Sequence, residues 1–175
     1  YMYGFPGKKH LFMGGEFGQW REWNCMESLD WHLLQHAPHK GVQKLVADLN
    51  RLYRNEPALY ELDYDPAGFE WIDFSDADST VVSFLRRSRD RKDLLVFVCN
   101  CTPVPRRNYR IGVPEEGVYM EILNSDAECY GGSNVGNAGF RKSEAVPRHN
   151  RPFSLNLTLP PLGGLIFKLE RQEGR

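Results

Sequence analysis

Beyond residue 65 the chain consists of short apolar runs, cut apart by turn residues about every ten positions. Few architectures other than stacked antiparallel sheets accept that pattern. The runs fall at 69–74, 80–88, 94–101, 107–113, 117–123, 153–159 and 164–170. Leu155, Leu157 and Leu159 alternate with Asn156 and Thr158, the period of a half-buried strand. Leu94 to Cys99 is apolar throughout and predicts a central strand. Asp76-Ala77-Asp78 and Arg89-Asp90-Arg91 read as hairpin loops. Seven such strands argue for an antiparallel sandwich. A glycine-rich insertion, 125–150, interrupts it. Gly131, Gly132, Gly136 and Gly139 sit between strands with no following helix, so a phosphate loop does not fit. An ordered Ω-type loop covering a sheet edge does.

Upstream of Asp65-Pro66-Ala67-Gly68, itself a turn, the character differs. Val42, Leu45, Val46, Leu49, Leu52 and Tyr53 form one stripe at a 3.6 period, which predicts a helix over 42–54. It should stop near Asn55, because Pro57 disfavours the α conformation just before it. A lone helix of that length is marginal in water, so the stripe needs a partner surface. Ser28–Leu34 reads as a short helical turn. Leu11-Phe12-Met13, stopped by Gly14-Gly15, fits a buried strand over 10–14.

The loop after that strand carries Glu16, Gln19, Trp20, Arg21, Glu22 and Trp23. Where a buried parallel strand meets a polar loop, α/β proteins place their ligands. Two tryptophan faces with hydrogen-bonding neighbours suit a carbohydrate, which is flat-faced and rich in hydroxyls. The alternative is that the tryptophans only pack beneath the next helix, and that Glu16 caps backbone amides or pairs with Arg21. Trp31 and His32 read as packing beneath the loop.

The rest of the composition narrows the function classes. At 175 residues, 41% hydrophobic, the chain can bury a sizeable core. A net charge of −1 argues against nucleic acid as a partner. No apolar run approaches a membrane span, and no secretory leader is visible. The opening Tyr-Met-Tyr-Gly-Phe-Pro-Gly is expected to be the middle of a longer polypeptide. Cys25, Cys99, Cys101 and Cys129 lack zinc spacing and read as buried free thiols, as in a reducing cytoplasm. The histidines at 10, 32, 36, 39 and 149 show no metal spacing either, and neither metal nor cofactor is expected. The sequons at Asn100 and Asn156 lie in strand-like runs and read as chance.

With these residues in hand, the chain resembles the C-terminal part of bacterial 1,4-α-glucan (glycogen) branching enzymes of the α-amylase superfamily. Leu11-Phe12-Met13-Gly14-Gly15-Glu16-Phe17-Gly18-Gln19 and Arg21-Glu22-Trp23-Asn24 are similar to the last barrel strand and the loop after it. Asp30-Trp31-His32, Asp65-Pro66-Ala67-Gly68-Phe69-Glu70-Trp71, Glu121-Ile122-Leu123-Asn124-Ser125-Asp126 and Leu157-Thr158-Leu159-Pro160-Pro161-Leu162 continue the pattern in order.

The resemblance implies a mostly β chain, an antiparallel β-sandwich of the α-amylase C-terminal type. Before it would come the last strand, loop and helix of a (β/α)8 barrel. Residues 1–64 would be that barrel end, 65–175 the all-β domain, and the helix stripe would lie on an upstream barrel wall. It implies a retaining transfer, in which an α-1,4 bond is cut through a covalent intermediate and a 6-hydroxyl resolves it into an α-1,6 branch. The family's catalytic carboxylates match nothing here, so no catalytic residue is expected, and the piece alone should be inactive. It implies α-glucan and the upstream barrel as partners, and Gln19, Trp20, Arg21, Glu22 and Trp23 as substrate contacts. The rival reading is a stand-alone carbohydrate-binding sandwich using Phe69, Trp71 and Tyr119.

Overall fold

The computed structural model describes residues 1–171. Its one α-helix, α1, runs Ala37–Asn55. Eight strands come after it: β1 Phe69–Asp76, β2 Val81–Arg87, β3 Leu94–Asn100, β4 Arg106–Val113, β5 Val118–Asn124, β6 Phe140–Lys142, β7 Phe153–Leu159 and β8 Gly163–Glu170. All seven strands read beyond residue 65 are present. The eighth, β6, lies in the 125–150 insertion and extends the sheet edge beside β5.

Six strands form an antiparallel sheet in the order β1-β2-β3-β8-β5-β6, and β4 pairs with β7 in a second sheet. Period-2 alternation sends side chains to two cores. Leu94, Val96 and Val98 join Leu165, Phe167, Ile111, Leu155 and Leu157 between the sheets. Leu95 and Phe97 point the other way, with Phe84 and Ile166. Every residue of β3 is therefore buried, which is why its sequence shows no alternation.

That second core gives part of the helix stripe a partner. Leu45, Leu49, Leu52 and Tyr53 of α1 pack, half-buried, on the outer face of the six-stranded sheet, while Val42 of the same stripe stays exposed. Because β3 and β8 present apolar residues on both faces, these four side chains find contacts within this chain. The helix also begins five residues before Val42, with Pro38 in its first turn, where the missing N–H costs nothing. The N-terminal segment joins the same side: Phe5 stacks edge-on against Phe69 and Phe84 at 5.2 and 6.4 Å. A Cβ on Gly4 would come within 2.4 Å of the Phe97 ring.

Two further expectations are overturned. Residues 10–14 form no strand. A strand needs a ladder partner, and among the described residues none lies beside this stretch; Leu11 and Phe12 stay exposed. Of the four free cysteines only Cys99 is buried, because β3 ends at Asn100 and Cys101 lies beyond it. The insertion is ordered. Tyr130 donates a hydrogen bond to Asp48 of α1 at 2.8 Å, and Asp126 accepts from the backbone of Ser133 and Val135.

Candidate functional site

The loop ahead of α1 turns twice through glycine. Gly14 and Gly18 both adopt the left-handed conformation, with φ of 83° and 68°, on either side of a 3-10 turn at Gly15–Phe17. Phe17 is the buried anchor of that turn. Its carbonyl lies 2.8 Å from Nδ1 of His39 in the first turns of α1, and a carbonyl only accepts, so this nitrogen carries the proton.

Arg21 organises the stretch from there to Asp30. Its Nε donates to both oxygens of Asp30 at 3.1 Å, and its terminal nitrogens bond Asp30 and Glu27. Asp30 is buried, and the hydrogen bonds from Arg21 hold its carboxyl below the usual carboxylate range. Glu16, the alternative partner, forms no ion pair with Arg21 among the described residues. Gln19 closes the same ring: its Nε2 donates to the Arg21 carbonyl at 2.6 Å, and its Oε1 accepts from the Asp30 amide at 2.9 Å.

The five residues singled out from the sequence thus divide. Gln19 and Arg21 spend their polar atoms holding the loop together. Trp20 and Trp23 are each 75% exposed, and Glu22 is exposed, with no side-chain hydrogen bond among the described residues. Trp23 sits at φ 57°, a strained conformation for a bulky residue and one that clusters at functional sites. Its ring lies 4.7 Å from that of Phe12. Trp20 meets His39 edge-on at 5.4 Å and, with Pro38 and Val42, walls an open cleft of about 490 Å³.

Trp31 packs on Phe17 of the loop, with ring centroids 5.1 Å apart, yet stays half exposed, and His32 is exposed. Leu11, Phe12 and Met26 of the same stretch are exposed as well. Nothing in the sequence marked Asp30 and His39 as supports, since each is many residues from the group it holds.

Of the three aromatics of the rival reading, one is withdrawn from the surface and two are half-buried. Tyr119 is fully buried between the sheets, and its hydroxyl donates to the Glu115 carbonyl at 2.9 Å. Phe69 and Trp71 pack against Phe84, at 5.2 and 5.8 Å.

A family model described as the α-amylase C-terminal all-β domain matches residues 71–170. The 1,4-alpha-glucan branching enzyme GlgB of Aquifex aeolicus (strain VF5) is 54% identical over 170 residues, 97% of this chain and 27% of that protein. The GlgB of Synechococcus elongatus is 57% identical over 169 residues, 97% of this chain and 22% of that protein. The GlgB of Pseudomonas syringae pv. tomato is 58% identical over 168 residues, 96% of this chain and 22% of that protein. This chain spans about a quarter of the length of the curated relatives it matches. Because the match runs from Trp71 in β1 to Glu170 at the end of β8, the chain belongs to the family of α-amylase C-terminal all-β domains.

Proposed function

We propose that this chain is the C-terminal portion of a 1,4-α-glucan branching enzyme of glycogen synthesis. In it the β domain caps a catalytic barrel, and the loop Gln19–Trp23 faces the α-glucan. The carrying observation is identity of 54% or more, over nearly the whole chain, with proteins named for that activity. The loop supplies the local chemistry. Two tryptophans offer faces to pyranose rings, Glu22 offers acceptors to hydroxyls, and Arg21 with Gln19 keeps the loop in shape.

The chain itself would not cut the glycosidic bond. A retaining transfer needs two carboxyl groups about 5–5.5 Å apart, one protonated as general acid and one free to attack. Asp30 and Glu27 are instead both bound to Arg21, and Asp30 is held ionised. A role in glycogen synthesis belongs in the cytoplasm, and the exposed free thiols of Cys25, Cys101 and Cys129 fit a reducing compartment.

Electrophoresis of the purified chain through gels containing glycogen tests the glucan contact. Retardation that is lost in the Trp20→Ala, Trp23→Ala double variant supports it; equal mobility of both proteins with and without glycogen overturns it. Branching of amylose by the purified chain, read as a fall in iodine staining, would overturn the non-catalytic role.

A further inference from the structure

Far along the chain from the loop, the two-stranded sheet carries a groove of about 590 Å³ lined by Arg106, Arg107, Arg110 and Arg148, with Asn108 between them. Two features of the backbone build it. The β4–β7 register slips between Arg106 and Tyr109, and Asn108 takes a φ of 56°, so Arg107 and Asn108 leave the ladder as a bulge. On the same strand, Gly112 lets the turn Arg148–Arg151 sit directly against β4. A Cβ there would lie 2.0 Å from the Arg148 carbonyl oxygen. The Gly112 N–H donates to His149 Nδ1 at 3.2 Å and fastens that turn. Only a glycine at 112 permits Arg148 to hang over a strand that already bears three arginines.

The charges around the groove leave cationic groups over. Arg110 is paired with Glu144 at 2.8 Å and also donates to Ser154. Asp76 accepts from the Tyr109 hydroxyl at 2.6 Å, and Asp73 faces His149 at 3.5 Å. Arg106 donates to the Ser79 carbonyl at 3.5 Å and has the Asp76 carboxylate nearby, whereas the exposed Arg107 and Arg148 form no salt bridge among the described residues.

We propose that this groove binds a phosphoryl group, free or carried on a small sugar. The guanidinium fork matches a tetrahedral oxyanion with paired hydrogen bonds, and a dianion can engage several forks at once where one carboxylate cannot. A nucleic acid does not fit, because its affinity comes from a long basic track and these arginines are confined to one groove on a chain of net charge −1. The site is independent of the glucan-facing loop, and its test involves neither that loop nor a glucan.

Amide NMR of the chain at constant ionic strength supplies that test, with inorganic phosphate and glucose 6-phosphate as separate titrants and sodium chloride as control. Saturable shifts at Arg107, Asn108 and Arg148, weakened about tenfold or more in Arg107→Ala with Arg148→Ala, are expected. Tighter binding of glucose 6-phosphate than of phosphate would show that the sugar also makes contact; equal affinity would show that the phosphoryl group alone is read. Both side chains are exposed, so the variant should keep its fold, checked by unchanged shifts at buried β3 amides. The proposal is overturned if chloride reproduces the shifts, if no shift saturates, or if the folded variant binds as tightly as the parent.

Discussion

The Arg86 guanidinium and the Asp63 carboxylate meet at 3.1 Å with both side chains closed off from solvent. Arg86 also donates to the carbonyls of Gly4 at 2.8 Å, Leu59 at 3.1 Å and Gly68 at 3.1 Å. Asp63 accepts a further hydrogen bond from Tyr53 of α1 at 3.2 Å. One side chain of β2 thus ties together the N-terminal segment, the turn after α1 and the entry to β1. Burial pulls the guanidinium's pKa down and Asp63 opposes it; arginine stays charged at neutral pH regardless.

Removing one partner should be far worse than removing both. Arg86→Met leaves a buried carboxylate unpaired and should destabilise the chain by about 3–5 kcal/mol. Adding Asp63→Leu should restore part of that loss, and the carbonyls of Gly4, Leu59 and Gly68 set the remainder. Urea denaturation of the two single variants and the double variant gives the coupling energy directly. Additive losses would show that the pair does not act as one unit.

Gly41 lies within α1, where alanine is normally better by about 0.8–1 kcal/mol. Here the sign should reverse. A Cβ at 41 would sit 2.1 Å from the Tyr130 carbonyl oxygen, a backbone atom that cannot swing away. Gly41→Ala should therefore destabilise by about 1–3 kcal/mol, the cost of overpacking. Thermal unfolding reads it, and a rise in Tm would contradict the close contact between α1 and the insertion.

Asp30 gives the loop a pH dependence. Its folded pKa lies below its unfolded value, because Arg21 favours the charged form. The Arg21–Asp30 contribution is therefore complete above the unfolded carboxylate pKa of about 3.9 and is lost as pH falls through the lower folded value. Fluorescence of Trp20 and Trp23 should change across that acid range. In Arg21→Ala the Asp30 titration, followed by NMR, should move up to the ordinary carboxylate range. An Asp30 pKa equal in both proteins would rule the linkage out.

Asn100 stands in a sequon but should carry no glycan on the folded chain. Its Nδ2 donates to the carbonyls of Val104 at 2.9 Å and Pro160 at 2.8 Å, and its Oδ1 accepts from Thr102. Asn100→Ala should cost about 1–3 kcal/mol by leaving those buried groups unpaired. Mass spectrometry of protein from a glycosylating host checks the first statement, and denaturant midpoints check the second.

Period and punctuation carried the β domain. Leu155-Asn156-Leu157-Thr158-Leu159 could only be a strand with one face inward, and the apolar run of β3 could only be central. The loop with Trp20, Arg21 and Trp23 stood out for residue types alone, yet its support did not. Glu16 read as an amide cap or a partner of Arg21, and the carboxylates that hold Arg21 are Asp30 and Glu27.

Local sequence determined which segments beyond residue 65 are strands, that α1 ends at Asn55 ahead of Pro57, and which loop gathers the tryptophans, because backbone propensity and hydrophobic period act over a few residues. Tertiary structure alone decided that Leu45, Leu49, Leu52 and Tyr53 of α1 meet the sheet, that residues 10–14 form no strand, and that Arg86 finds Asp63. Each of these depends on surfaces and partners that only the folded chain brings together, and no spacing in the sequence encodes a partner at such a distance.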